Sequence, residues 1–315
     1  MSDPLQSVSV VLPTRQLDHE FEDHCRQSQG WLERAGSHCV VCRPSPDLPE
    51  AFLAGKKRIP VLACAGSIYE AWNLGLAKIT TPYVYFSTVG DQIGESDLLG
   101  LLATARQWDA DVVVSRPRHR GDTRSSRQAG LRLWPHEKAM RFLGLKKERL
   151  LSSTEKRLLA LLFFEGSMLG SSASNLYRTS SLRSRPFPCN YGHEGDVAWF
   201  FIHSEDIRVV FDPRWRGSYR HHPVAPAIRP GRQKNARFLR LWRCSFPAEA
   251  LTGFWEKLLQ GQRNAYAAQL GLERSQKRTG PGAVLGGMRC RFLRKWHQWK
   301  TRQAGRRLLL SQPKS

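Results

Sequence analysis

Polar side chains follow the ends of several short apolar segments of this chain. Asp91 comes after the run YVYF, Thr14 and Arg15 come after an earlier apolar run, and Ser67 comes after a third. A carboxylate in such a position either binds a ligand or caps the turn that follows it. The elements around these residues decide between the two interpretations.

The apolar runs are typical of buried strands of a parallel sheet. Five of them lie in the first 115 residues, at 8–13, 38–42, 60–64, 83–86 and 111–115. Segments of helical periodicity separate them, and Asp18, Ser67 and Ser96 are the predicted N-caps of the three main helices. Strands that alternate with helices in this way predict an α/β domain with helices on both faces of the sheet. Ligands of such domains lie at the carboxyl ends of the strands, where Asp91 is expected.

The pattern changes after residue 115. It predicts an Arg-rich loop at 116–128, helices near 136–144 and 154–165, a strand at 174–178, a loop at 181–192, a short helix at 193–202 and a last strand at 207–213. We therefore expect one domain over residues 1–213, followed by a separate region over 214–315.

Charge distinguishes these two regions. The 315 residues carry a formal charge of +22, but residues 214–315 contain 23 of the 49 Lys and Arg and only three of the 27 acidic residues. Such an excess favours an anionic partner for the carboxyl-terminal region. Within it, Met288, Phe292, Trp296 and Trp299 line one face of a predicted cationic helix. This pattern is typical of a helix that binds a membrane surface; packing of the stripe onto the first domain and nucleic-acid binding are the alternatives.

Other signals favour a cytoplasmic location. The first residues lack the pattern of a secretory signal peptide, and the longest apolar run, LLALLFF, is far shorter than a membrane-spanning helix. Seven cysteines, an odd number, fit reduced thiols better than a disulfide framework. Cys39 and Cys42 form a CxxC motif, which we interpret as structural because no second Cys or His pair follows it.

Three segments together resemble the signature regions of family-2 glycosyltransferases with the GT-A fold. They are VSVVLPT near the amino terminus, GSIYEAWNLGLAKITTPYVYFSTVGD at 66–91 and YGHEGDVAWFF at 191–201. The resemblance spans about residues 7–213. It implies a Rossmann-like, mostly parallel sheet flanked by helices, with a donor half at 1–115 and an acceptor half at 116–213.

The resemblance also implies a site for a nucleotide-sugar. Pro13 and Thr14 correspond to the strand end that contacts the nucleotide base, and Asn73 lies on the helix that frames the donor. We add Arg15 and Ser67 to this predicted donor site because they follow strands on the same edge of the sheet.

A divalent cation and a general base complete the implied site. Asp91 holds the last position of the motif that binds Mg²⁺ or Mn²⁺, and one carboxylate suffices because diphosphate oxygens and waters fill the remaining ligand positions. His222 is a second candidate ligand, or else part of a solvated surface pair. Asp196 matches the general base, with Glu194 as the second candidate, although a carboxylate at a helix start also has a purely electrostatic explanation.

The implied activity is sugar transfer from a nucleotide-diphosphate donor to an acceptor hydroxyl, with inversion. The resemblance suggests a saccharide or lipid-linked acceptor in surface polysaccharide or glycolipid synthesis, and the basic helix suggests a peripheral position on the inner face of the cytoplasmic membrane. The rival hypothesis is a non-catalytic protein that binds nucleic acid or membranes on a degenerate GT-A fold. The sugar and the nucleotide are not identified by the sequence.

Overall fold

The computed structural model describes residues 3–120, 145–153, 155, 156 and 172–220, which belong to a compact unit over Met1–Phe238. The strands in these ranges are β1 Val8–Pro13, β2 Ser37–Cys42, β3 Ala51–Ala54, β4 Lys57–Ala63, β5 Tyr83–Phe86, β6 Val112–Arg120, β7 Arg149–Leu150, β8 Asn175–Arg178 and β9 Val209–Arg220. The α-helices are α1 His19–Leu32, α2 Ile68–Lys78, α3 Glu95–Gln107, α4 Thr179–Ser184 and α5 Gly195–Ile202.

The described strands form one sheet in the order β3-β4-β2-β1-β5-β8-β6-β9-β7. Strands β4, β2, β1 and β5 are parallel to one another, β8 is antiparallel to its neighbours β5 and β6, and β9 is parallel to β6. Six of the nine strands run in one direction, so the predicted α/β class with a mostly parallel sheet is confirmed.

Helices cover both faces of the sheet, as the continuous apolar strands require. Tyr85 of β5 packs edge-on against Trp31 of α1 at 5.9 Å between ring centroids. The next residue, Phe86, stacks on Trp72 of α2 at 4.4 Å. Because neighbouring strand residues point to opposite faces, α1 and α2 lie on opposite sides of the sheet.

Local signals explain which element boundaries were predicted correctly. Asp18 caps α1 by accepting from the Phe21 amide, and Ser67 caps α2 in a reciprocal capping box. The prediction of Ser96 as the N-cap of α3 was wrong: the helix begins at Glu95 and Gly94 is its N-cap, without a side-chain hydrogen bond.

Three of the described strands and α-helices were missed by the sequence analysis, namely β3, β7 and α4. The short edge strand β3 forms a hairpin with β4 around Gly55, which has a φ of 59°. Lysines and Pro60 obscured the alternating pattern of this hairpin. The loop expected at 181–192 begins as helix, since α4 runs to Ser184.

The last strand is longer than expected, because β9 continues to Arg220 instead of ending at 213. The predicted domain boundary at 213 stays a prediction. The predicted helix at 136–144, most of the one at 154–165 and the region beyond 220 lie outside the described residues. Within the described ranges, no helix has the length and apolar character needed to cross a bilayer.

Candidate active site

The turn that carries Asp91 begins at the carboxyl end of the parallel strands. The Ser87 amide donates to the Val11 carbonyl at 2.9 Å, which extends the pairing of β5 with β1. The Asp91 amide then donates to the Thr88 carbonyl at 3.0 Å, and Gly90 has a φ of 92°, a conformation that favours glycine. Asp91 is 3% exposed. The strand end and the turn thus fix the position of this carboxylate.

The residue after Asp91 connects this turn to β9. The Gln92 amide donates to the Ser218 carbonyl at 2.8 Å, and the Ser218 amide donates back at 2.5 Å. Gly217 has a φ of 66°, and a Cβ there would lie 2.1 Å from the Ala173 carbonyl oxygen. Strand β9 therefore passes beside the Asp91 turn, and its residue 217 must be glycine for this close approach.

Two buried side chains lie near this turn, and the sequence analysis named neither of them. His24 Nε2 and Ser87 Oγ form a hydrogen bond of 2.8 Å, and burial lowers the pKa of His24 to about 4, so the imidazole is neutral. On the α1 face of the sheet, burial and then the charge of Asp91 raise the pKa of Tyr85. Tyr85 therefore stays protonated beside Asp91.

The second carboxylate, Asp196, lies in the first turn of α5 and is 9% exposed. Its Oδ1 accepts from Tyr69 Oη at 2.8 Å and from the Val197 amide at 2.8 Å. Burial, followed by the charge of Asp196, raises the pKa of Tyr69 well above its usual value. Tyr69 is thus a neutral hydroxyl that donates to the carboxylate.

Helix α2 connects the two carboxylates through aromatic contacts. Tyr69 packs edge-on against Trp72 at 5.4 Å, and Trp72 stacks on Phe86, the last residue of β5. Asp91 follows Phe86 by five positions. Since α2 begins just after the carboxyl end of β4, Asp91 and Asp196 both lie at the carboxyl edge of the sheet.

Asn73 and Ser67, both predicted to bind the donor, have structural partners. The Asn73 amide donates to the Phe187 carbonyl at 2.8 Å and accepts from the Phe187 amide at 3.0 Å. Ser67 Oγ accepts from the Glu70 amide in the capping box. The Asn73 bonds hold the segment before α5 onto α2, and the Ser67 bond fixes the start of α2. Both residues thus position parts of the structure. Their direct contact with the donor stays a prediction.

The predicted base-binding residues lie at the end of β1. Pro13 is the last residue of the strand, and the Thr14 amide donates to the Val41 carbonyl of β2 at 2.9 Å. Thr14 Oγ1 donates to the Gln16 carbonyl, and Arg15 is exposed. All three residues lie at the edge where Asp91 lies, as the alternation of strands and helices predicted.

The structure offers few metal ligands in the described part of the chain, where no three His, Cys, Asp or Glu side chains form a cation site. Asp91 is the predicted ligand that lies in this part; His222 and the side chain of Glu194 lie outside it. Cys39 and Cys42 are buried, and burial raises the pKa of the Cys39 thiol to about 12. Cys39 donates to the Gly75 carbonyl on α2, which supports its interpretation as structural.

Comparison with known proteins identifies the fold. No protein-family model and no curated protein matches the sequence. Residues 1–349 of S. aureus TarS in complex with UDP superpose with a TM-score of 0.51 at 13% identity. The match covers 98% of this chain and 93% of that fragment. The chain has the GT-A fold. The complex of the same TarS fragment with UDP-GlcNAc is also similar, with a TM-score of 0.50 at 12% identity over 98% of this chain and 93% of that one. A mycobacterial protein superposes with a TM-score of 0.50 at 19% identity, over 78% of this chain and 79% of that one.

The two carboxylates lie in different halves of the domain as the sequence analysis predicts those halves. Asp91 belongs to the predicted donor half, between β5 and α3, whereas Asp196 belongs to the predicted acceptor half, at the start of α5. At 12–19% identity the likeness establishes the fold alone.

Proposed function

We propose that this protein is a glycosyltransferase that moves a sugar from a nucleotide-diphosphate donor to an acceptor hydroxyl. The observation that carries the proposal is the pair of buried carboxylates, Asp91 and Asp196, at the same edge of the sheet. A buried carboxylate is unfavourable unless its surroundings replace the lost water, and such groups concentrate at functional sites. A protein that binds only through its basic region has no need for either of them.

The donor half holds the nucleotide-sugar in this proposal. Pro13, Thr14 and Arg15 contact the nucleotide, while Ser67 and Asn73 act through the start of α2. A GT-A neighbour, TarS, was solved with UDP and with UDP-GlcNAc, so UDP-sugars are the first donors to test.

Asp91 fits a divalent cation that is shared with the donor. Mg²⁺ is commonly held by one or two carboxylates together with substrate phosphates and waters, which suits a site with one described carboxylate. When bound, Mg²⁺ or Mn²⁺ would offset the negative charge that develops on the diphosphate. His222 is proposed as a further ligand because it follows Ser218, the partner of Gln92, by four positions.

The acceptor half supplies the base. Asp196 removes the proton of the acceptor hydroxyl as its oxygen bonds to the anomeric carbon, while the bond from that carbon to the diphosphate oxygen breaks. The nucleotide diphosphate leaves from the opposite side, so the configuration is inverted. Glu194 is the second candidate for the base.

The resemblance noted above supports the finer assignments. We propose a family-2 enzyme that makes single transfers to a saccharide or lipid-linked acceptor in surface polysaccharide or glycolipid synthesis. We further propose a cytoplasmic location with peripheral attachment to the inner face of the membrane.

A thermal-shift screen tests the donor site. We would compare UDP-, GDP-, dTDP- and CMP-sugars, each with and without Mn²⁺, on the wild type, Asp91→Asn and Asp23→Asn. Asp23 is a matched control because it lies on the exposed surface of α1, paired only with Arg26 among the contacts described for it. We expect one nucleotide class to raise the Tm by several degrees in the presence of Mn²⁺, as ligand binding to the folded state requires.

The variants decide the interpretation of that shift. Asp91→Asn should abolish the metal-dependent part, whereas Asp23→Asn should retain it. If no nucleotide changes the Tm of the wild type, the protein is a degenerate GT-A fold and the proposal is wrong.

A further inference from the structure

We propose that Tyr69 is a positioning residue for sugar transfer, which holds the Asp196 carboxylate in the orientation and charge state that the base requires. This inference rests on the proposed function. It assigns a role to a side chain that belongs to α2 rather than to the helix that carries the base.

The hydrogen bonds of Asp196 carry the inference. Tyr69 Oη and the Val197 amide both donate to Oδ1, each at 2.8 Å. The two donors come from different elements, a hydroxyl of α2 and a backbone amide of α5, so this oxygen is held between the two helices. A carboxylate fixed in this way presents a defined edge to an acceptor hydroxyl, and precise placement of a base contributes to the rate.

Tyr69 is itself held rigidly. Its ring packs edge-on against Trp72 at 5.4 Å with an interplanar angle of 81°, and it contacts Phe187 at 5.7 Å. The Phe187 segment is in turn bound to Asn73 by two hydrogen bonds. The hydroxyl therefore has a fixed direction toward Asp196.

The start of α5 is shaped to admit the Tyr69 ring. A Cβ at Gly195 would lie 2.5 Å and 2.7 Å from Cδ2 and Cε2 of Tyr69, and 2.8 Å from the Pro188 carbonyl oxygen. A larger residue at this position would displace the ring. Gly195 thus allows the close approach on which the Tyr69 to Asp196 hydrogen bond depends.

The groups around Asp196 determine whether loss of the Tyr69 hydroxyl raises or lowers the pKa of this carboxyl group. Tyr69 on α2 and Tyr177 on β8 both interact with its charge, and burial keeps both phenols neutral. His193 and Glu194 precede it, and their side chains lie outside the described part. A donated hydrogen bond stabilises the charged carboxylate, so its removal raises the pKa of Asp196.

Tyr69→Phe tests the inference because it removes the hydroxyl and keeps the ring. Tyr83→Phe is the matched control. Tyr83 is also a buried tyrosine, and it is the first residue of β5, whereas the Asp91 turn follows the last residue of that strand. We would measure kcat and the KM of the donor over pH for both variants, using the donor that the thermal-shift screen identifies. We would also titrate the Asp196 carboxyl carbon by ¹³C NMR, assigned with Asp196→Asn.

For Tyr69→Phe we expect kcat to decrease by a factor of up to about ten, because a hydrogen bond to a charged group is lost. The KM of the donor should be unchanged. The acidic limb of the kcat profile should move up by about one pH unit, as should the carboxyl titration. Tyr83→Phe should match the wild type in both measurements.

The two readouts separate this inference from the proposed function. An unchanged Asp196 titration in Tyr69→Phe, or a raised pKa with an unchanged kcat profile, overturns the positioning role. A wild type without transferase activity overturns both the proposed function and the positioning role of Tyr69 in sugar transfer, while a shifted titration would still establish the electrostatic contact between Tyr69 and Asp196.

Discussion

A buried carboxylate remains charged only when nearby donors replace the water that it has lost. The Tyr69 hydroxyl and the Val197 amide are such donors to Asp196. These bonds stabilise the anion, which is the form that a general base requires. At the residue scale, these surroundings support the proposal that Asp196 is the general base.

Asp196→Asn should lower kcat by a factor of about 10² to 10⁴, the usual contribution of a general base. The asparagine oxygen still accepts from Tyr69 and the side chain keeps its shape, so folding and donor binding should be unchanged. Steady-state kinetics on the purified variant, together with its Tm in the presence of the donor, would measure both effects.

Asp206→Asn provides the comparison for this variant, because Asp206 is an exposed residue shortly after α5. It should retain wild-type kcat. If Asp196→Asn also retained wild-type kcat, Asp196 would be a structural helix charge and the base would have to be sought elsewhere, beginning with Glu194.

At the scale of elements, the packing of α2 on the sheet positions Tyr69. Gly75 lies where this helix meets β1 and β2, and a Cβ there would be 2.5 Å from Val11 Cγ1 and 3.1 Å from Cys39 Sγ. The glycine of the AWNLG segment is therefore needed for close approach of the helix. Any larger residue must move α2 and, with it, the contact to Asp196.

Gly75→Ala should destabilise the protein by about 1–3 kcal/mol, the usual cost of an overpacked interface. Gly30→Ala is the matched control: it lies in α1, and a Cβ added there would meet nothing within 4 Å. At that position the higher helix propensity of alanine should stabilise the protein by about 0.5–1 kcal/mol. Urea denaturation would measure both changes, and equal effects of the two substitutions would contradict this role of Gly75.

Sequence patterns were sufficient where the structural cause is local. The apolar runs predicted the positions of β1, β2 and β5 correctly, and the side-chain caps predicted the starts of α1 and α2. Tyr69 could not be found in this way, because its partner Asp196 is 127 positions away. The antiparallel insertion of β8 between β5 and β6 likewise depends on tertiary pairing.

At the scale of the whole molecule, the excess positive charge lies mainly outside the part of the chain that carries Asp91 and Asp196. Residues 1–213 have a formal charge of about +2, while residues 214–315 carry the remaining excess of Lys and Arg. Most of the described site is built by the nearly neutral part, and Gly217 and Ser218 of β9 are the residues that the basic part adds beside the Asp91 turn. We therefore expect the basic region to determine where the protein acts rather than the chemistry that it performs.

The full-length protein should bind vesicles that contain anionic lipid at low ionic strength and dissociate as salt screens the attraction. Charge alone would produce this result for any basic protein, so the aromatic stripe needs its own test. If Trp296 and Trp299 insert among the lipids, Trp296→Ala/Trp299→Ala should weaken binding at least tenfold while the net charge stays the same, because buried apolar area contributes to interfacial affinity.

Co-sedimentation with anionic vesicles measures the binding of both proteins, with zwitterionic vesicles as the control. Undiminished binding of the double variant would mean that the stripe packs within the protein, and stronger binding to a nucleic-acid competitor would favour the alternative partner.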